Sequence, residues 1–210
     1  MIYVELIFPI TGNLLPRDCG YRMYKAISRM IPEARGANWF AFEVQDNCPF
    51  CDSPQAMLKM RLPQSRVSLM LKLSGREMRA GSSVITLAAP QIHLLKSCES
   101  LYSRCVVIRE CSGREPFLDQ VARRLDEMGI HGEPELGSLR YVRIGSRKIA
   151  GYSLKIHDLS EEGSLLLQEQ GLGSWKHAGC GYFVQADRGT DFSRIDRRVS
   201  MVQRNNLYAR

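Results

Sequence analysis

Apolar residues in this chain follow two rhythms, one of period two and one of three to four, and the places where one gives way to the other mark its elements. Ile2 to Phe8 puts Val4, Leu6 and Phe8 on one face, as a half-buried strand does. After Asp18, a capping residue, Met23, Tyr24, Ile27, Met30 and Ile31 form one apolar stripe, with Arg22, Lys25 and Arg29 together on the other side. Pro32 ends that helix. Trp39 to Val44 and Ala56 to Leu62 are strand-like runs separated by the turn-rich Asp46 to Pro54. Pro63 opens a second helix with Val67, Met70 and Leu71 inward, Gly75 closes it, and Val84 to Leu87 is a further strand.

The order strand, helix, strand, strand, helix, strand then recurs. Leu101 to Ile108 reads as a strand, and Pro116 starts a helix buried through Leu118, Val121, Ala122, Leu125 and Met128, stopped by Gly129. Leu139 to Ile144 and Arg147 to Ile156 form a hairpin across Gly145-Ser146. Ser160 caps a helix with Glu161 and Glu162 in its first turn, where acids favour the helix dipole. That helix ends before Gly171, and Tyr182 to Val184 is a last short strand. The pattern predicts an α+β chain of two tandem ferredoxin-like βαββαβ modules, of the kind also seen in RNA-recognition domains. The expected limits are residues 1–90 and 91–185, followed by a basic extension over 186–210. In that extension six Arg and three Asp surround Phe192, Ile195, Val199 and Val202, spaced as on one helix face, so an amphipathic helix and a solvated tail both remain open.

Composition narrows the class. The 210 residues fit one domain or two small ones at roughly 150 residues per domain. A net charge of +7 suits a polyanionic partner, and 44% apolar with 24% charged residues excludes a disordered chain. No uncharged apolar run approaches the roughly 20 residues of a membrane span, and Met1 to Ile10 lacks a basic leader and contains Glu5, so neither membrane nor secretory leader is expected. Seven cysteines, an odd number, fit a reducing cytoplasmic setting.

The most specific local feature is the run from Gly171 to Gly181, with glycines at 171, 173, 179 and 181 between a helix and a strand. Such a loop lets backbone approach another chain closely and aims N–H groups at anions, while Lys176 and His177 add charge or proton transfer and Trp175 a stacking face. A plain connecting loop is the alternative. Arg140, Arg143, Arg147 and Lys148 place four cations in nine residues of hairpin, either a phosphate-gripping prong or a solvated tip. Cys48-Pro49-Phe50-Cys51 is half of a zinc site without a matching second half. Of the histidines, His157 reads as structural, His131 as part of a turn and His93 as satisfied in the core. No metal or cofactor is expected, and the absence of clustered carboxylates argues against two-metal phosphodiester chemistry.

The chain resembles the CRISPR-associated repeat-processing endoribonucleases of the RAMP superfamily, in particular their short, myxococcal-type branch. The likeness spans roughly residues 2–185. Its carriers are Asp18-Cys19-Gly20-Tyr21 with Tyr24, Leu71 to Gly75, Glu115-Pro116-Phe117-Leu118 with Leu125 to Ile130, Gly151-Tyr152, Leu159 to Glu162 with Ser164-Leu165, and the loop closing on Gly179-Cys180-Gly181-Tyr182-Phe183-Val184. The resemblance implies metal-independent cleavage of a CRISPR transcript within each repeat, the 2′-hydroxyl upstream of the scissile phosphate acting as nucleophile. It also implies that the protein partners repeat RNA or the mature crRNA it stays bound to, that other CRISPR effector subunits are further candidate partners, and that it is a monomer or weak dimer.

The family commonly has His at the start of the first helix, where this chain has Cys19. A thiol with a pKa of about 8.5 does not substitute for imidazole as a proton carrier. The catalytic set is therefore drawn from Cys19, Tyr21, Tyr24, Lys25 and His177, with His177 and the Tyr21, Tyr24 and Lys25 group as alternative sources of proton transfer. RNA contacts are expected from Arg22, from Arg140, Arg143, Arg147 and Lys148, and from Gly171, Gly173, Trp175, Lys176, Gly179 and Gly181. Cys19 also keeps open a slow or inactive crRNA-binding subunit of an effector complex.

Overall fold

The structure is a computed structural model and describes residues 1–13, 15, 19–45, 56–109, 111 and 113–186. Asp18, Cys48, Cys51 and the extension from residue 187 onward lie outside the described residues.

Alternation along β1 (Tyr3–Gly12) frames the first module: Val4, Leu6, Phe8 and Ile10 are buried on one face. Against that face packs α1 (Gly20–Met30), through Met23 and Ile27, with Ile31 just beyond its end. Pro32 follows, and the last helical hydrogen bond runs from the Ile31 N–H to the Ile27 carbonyl. β2 (Ala41–Gln45) and β3 (Met57–Pro63) add Phe42, Leu58, Met60 and Leu62 to the same core. Each fully buried Leu, Met or Phe contributes roughly 1.5–3 kcal/mol relative to exposure.

A short turn leads into α2 (Val67–Leu71), which buries Met70. Leu71, expected inward, is 39% exposed, because the helix is only five residues long and its chain turns so that Leu73 fills the core. β4 (Glu77–Ala80) and β5 (Ser83–Leu87) form a hairpin. β6 (Gln91–Leu94) follows. In the first sheet, β1 has β3 on one side, while its other side takes β6 along Val4–Ile7 and β5 along Ile10–Gly12.

The Val84–Leu87 strand therefore does not close the first module. That position, beside the N-terminal half of β1, belongs to β6, so residues 91–94 join the first sheet rather than the second. All four residues of β6 are exposed, and a strand with no buried face shows no alternation in sequence. His93 lies on it, exposed and hydrogen-bonded to Gln91 (3.2 Å), not in the core.

The second module is built from β7 (Leu101–Val106), α3 (Arg114–Glu127), β8 (Glu133–Ile144), β9 (Arg147–His157), α4 (Glu161–Gln170) and β10 (Val184–Gln185). Its sheet order is β10-β7-β9-β8, the ferredoxin-like arrangement. Phe117, Val121 and Leu125 carry the buried stripe of α3, while Ala122, expected inward, is exposed. The hairpin turn falls at Gly145-Ser146, and Ser160 caps α4 by accepting from the Gly163 N–H (3.0 Å). Among the described residues no helix is long and apolar enough to cross a membrane.

The modules are joined by a buried polar cluster that leaves no trace in the sequence pattern. Arg61 on β3 is 4% exposed and pairs with Glu5 on β1 (3.0 Å). Its guanidinium donates to the carbonyls of Phe183 and Gln168 in the second module and lies 4.2 Å from the centre of the Tyr182 ring. The Tyr182 hydroxyl donates to the same Glu5 carboxylate (2.7 Å). Burial pushes the Tyr182 phenol well above its usual value, and burial likewise raises the nearby Glu43 carboxyl although Arg104, Lys59 and Arg61 oppose it. Removing one member of a buried pair strands the other charge, so Arg61→Ala is expected to cost about 3–5 kcal/mol. Urea unfolding checks this against Arg123→Ala, whose exposed pair with Glu127 is expected to contribute under about 1 kcal/mol.

Candidate active site

The first turn of α1 and the glycine-laced loop meet in direct backbone contact. Cys19 precedes the helix, its carbonyl accepting from the Met23 N–H (2.8 Å). At Gly20 a Cβ would lie 2.1 Å from the Ala178 carbonyl oxygen, so no larger residue fits without moving the loop. The loop is equally constrained from beneath. The Ser174 N–H donates to Val107 (2.7 Å) and the Gly181 N–H to Cys105 (2.8 Å), tying it to the end of β7. At Gly181 a Cβ would fall 2.0 Å from the Leu172 carbonyl oxygen, and the backbone there is left-handed (φ 66°).

Within the loop, Lys176–Ala178 make one tight helical turn. Trp175 enters it with left-handed backbone (φ 64°), a conformation that costs a bulky residue about 1–3 kcal/mol and persists only where surroundings enforce it. Its carbonyl accepts from the Ala178 N–H (2.8 Å) and the Cys180 N–H (3.3 Å). Below, Cys105, Val107, Ala178 and Cys180 pack with Val142 and Ile144 of the β8–β9 hairpin, and Tyr21, Ile149 and Trp175 rest against them. One small core thus fixes the helix start, the loop and the hairpin tip together.

Above this core stands a row of rings. Tyr24 and His177 are 4.6 Å apart between centres, His177 and Trp175 5.5 Å edge to face, and Tyr21 and Tyr24 6.3 Å. The Tyr24 hydroxyl oxygen accepts from the Gly36 N–H (2.7 Å), which fixes the phenol. Lys25 is exposed, with its ammonium 5.1 Å from the centre of the Tyr21 ring. Partial burial, and then the charge of Arg109, lower the His177 pKa below its ordinary value, so the imidazole is neutral at pH 7. A neutral imidazole against a fixed phenol is suited to accepting a proton from a hydroxyl.

The expected residues divide into those at this site and those turned elsewhere. Tyr21, Tyr24, Lys25, Trp175 and His177 come together, with Gly171, Gly173, Gly179 and Gly181 shaping the loop. Cys19 is 1% exposed and forms part of the first core. Arg22 lies along the β4–β5 turn, close to Gly81. Lys176 donates to the Gln170 carbonyl at the end of α4, and burial followed by Arg124 lowers its pKa, so its charge serves the loop itself. On the hairpin, Arg143, Arg147 and Lys148 are exposed, whereas Arg140 is 6% exposed on the face shared with Val142 and Ile144. Residues 140 and 143 are an odd number apart, and in a strand that alone puts them on opposite faces. Arg109, just past β7 with its guanidinium 5.6 Å from the Trp175 ring centre, was not singled out from sequence, since no motif surrounds it. Among the described residues no three His, Cys, Asp or Glu side chains gather as metal ligands.

Gly20→Ala is expected to separate helix and loop and cost about 1–3 kcal/mol, as overpacking does. Urea unfolding measures the loss, and a shift of Trp175 fluorescence, followed in a Trp39→Phe background, reports loop displacement.

A family model described as Cas6 Crispr matches residues 4–188. The CRISPR-associated endonuclease Cas6 of Myxococcus xanthus (strain DK1622) is 31% identical over 192 residues, which cover 90% of this chain and 84% of that protein. Among solved structures, a Cas6-related protein from Pyrococcus furiosus superposes with a TM-score of 0.60 at 16% identity, over 89% of this chain and 99% of that one. A RAMP protein described as binding different RNA substrates gives 0.60 at 15% identity, over 89% and 100%. At these identities the two structures speak to the fold, which is the tandem ferredoxin-like one.

Proposed function

The chain belongs to the Cas6 family, and on that premise we propose that it is an endoribonuclease of CRISPR RNA maturation, binding repeat RNA and cutting the precursor transcript within each repeat without a metal. The observation that carries the reading of the site is the 4.6 Å contact between Tyr24 of the first module and His177 of the second, where both modules present polar rings beside the exposed cations Lys25 and Arg109. Such chemistry starts when a base takes the proton of the 2′-hydroxyl, whose oxygen attacks the adjacent phosphorus. The bond from phosphorus to the 5′-oxygen breaks, and that oxygen receives a proton. The products are a 2′,3′-cyclic phosphate, or the 3′-phosphate from its opening, and a 5′-hydroxyl.

His177, neutral at pH 7, is the general base in this reading. Tyr24, packed on it and held by Gly36, positions the imidazole and donates a hydrogen bond toward the phosphate. Lys25 supplies positive potential for the charge that builds on the phosphorane oxygens, while Arg22, along the β4–β5 turn, adds to the basic surface of the first module. The loop N–H groups add fixed donors nearby. Cys19 has no part in proton transfer, because it is sealed beneath the helix start. Arg143, Arg147 and Lys148 grip phosphates away from the cut. The polyanionic substrate accounts for the +7 charge, and the cytoplasm, where the transcript is made, is the place of action.

Incubation with a transcript containing repeats from its own locus, in excess EDTA, is expected to give one cut per repeat with a cyclic phosphate end; a single 2′-deoxy substitution before the scissile phosphate is expected to leave the RNA bound and intact. Binding without any cut would favour the crRNA-holding subunit instead. His177→Ala is expected to slow single-turnover cleavage by about 10²-fold or more, whereas Cys19→Ala stays within a few-fold of wild type. In binding titrations, replacing Arg143, Arg147 and Lys148 by Ala is expected to reduce the slope of log affinity against log salt by roughly 2 to 3, while Arg140→Ala chiefly lowers stability.

A further inference from the structure

Among the described residues, Arg109 is a cation at the ring row to which the proposed cleavage chemistry gives no role. It follows β7 closely, is exposed, and holds its guanidinium 5.6 Å from the Trp175 ring centre. Trp175 meets His177, and His177 meets Tyr24, so the row runs from Arg109 in the second module to Lys25 in the first with a cation at each end. Two observations mark the Trp175 end as built for a purpose. The indole is placed by a left-handed backbone that three loop hydrogen bonds enforce. Among the described residues, no carboxylate pairs with Arg109, although arginines elsewhere in the structure have such partners. A guanidinium presented against an indole keeps its N–H edges outward, which is the geometry that takes a phosphate through two parallel donors.

We propose that Arg109 is a phosphate-binding residue of the cleavage site, presented by Trp175 to the nucleotide beside the one that is cut. The proposal rests on the reading of His177 as the group that acts at the cut, and it adds a contact on the second-module side of that group. The position gives Arg109 a second effect, on the imidazole itself. Around His177, α1 contributes Tyr21, Tyr24 and Lys25, with Cys19 buried just before it, and the loop contributes Lys176. β2 packs against the Lys176–Ala178 turn, and its Glu43 faces the cluster of Arg61, Lys59 and Arg104 at the module junction. Of the charges near it, that of Arg109 is the one that disfavours the imidazolium, after burial. Loss of Arg109 therefore raises the His177 pKa and extends the protonated, inactive form to higher pH.

The test uses the full chain with Arg109→Ala, Arg109→Lys and His177→Ala, and as probe an RNA of one repeat carrying the 2′-deoxy substitution at the cut. Arg109→Ala is expected to lower the slope of log affinity against log salt by roughly 0.7 to 0.9, the value of one phosphate contact. Arg109→Lys restores the slope but not the full affinity, because ammonium lacks the paired donors. With cleavable RNA, the acidic limb of the single-turnover profile moves to higher pH in Arg109→Ala, and the His177 imidazole titration followed by NMR in the free protein moves with it. A salt slope equal to wild type in Arg109→Ala overturns the proposal, whatever the imidazole does. Wild-type cutting by His177→Ala overturns the role of His177 instead, and the salt slope then tests the Arg109 contact independently.

Discussion

The carbonyl oxygen of Ala178 occupies the volume in which a side chain at residue 20 would begin. That exclusion is what the site is made from. Because residue 20 is glycine, backbone meets backbone, and Tyr21 and Tyr24 one turn along the helix are brought to the height of Trp175 and His177 on the loop. Two elements separated by about 150 positions of sequence thereby act as one surface. The loop cannot yield on its far side either, since it is hydrogen-bonded to β7 and packed over the hairpin. Supports on both sides hold the rings in one arrangement, the condition that the proposed proton transfer would need.

The periodic part of this architecture was legible in the residues. Alternation exposed β1, the Gly145-Ser146 turn located the second hairpin, and Ser160 with its two glutamates marked the start of α4. Elements without periodic burial were less legible: β6 has no buried residue and carries no signal, while α2 is marked by Pro63 and Gly75 but is too short for a stripe, so the side of Leu71 is not given by its spacing. Among the site residues, the glycine spacing pointed to the loop, and the aromatic residues at the start of α1 pointed to the helix. Their meeting did not follow from either alone, because a steric fit between distant backbones has no local signature. Arg140 and Arg143 teach a smaller lesson. They were grouped by composition, yet strand periodicity already separates them, and the structure buries the first. Cys19, considered from sequence for proton transfer, is packed as a small apolar residue in the first core, a role that its neighbours in sequence do not announce.

Between the sheets, a different kind of joint is at work. Arg61 is bound by a carboxylate, two carbonyls and an aromatic face drawn from both modules, and Tyr182 closes the circuit on Glu5. A buried cation with that many partners tolerates few other arrangements, so the junction specifies an orientation as well as an attraction. The ring row and the polar cluster thus divide the labour: one presents groups to the outside, and the other prevents the two modules from shifting beneath them.

The β8–β9 hairpin has one face turned to solvent, with the cross-strand pair Arg143 and Lys148, and another pressed through Val142 and Ile144 onto the packing beneath the loop, with Arg147 exposed at the turn end of that second face. Val142 and Ile144 alternate along β8 with Arg143, so a residue exchanged on one side of the ribbon leaves the packing on the other side in place. The charge that the hairpin shows to solvent and the floor it lays under the loop can therefore vary independently of each other.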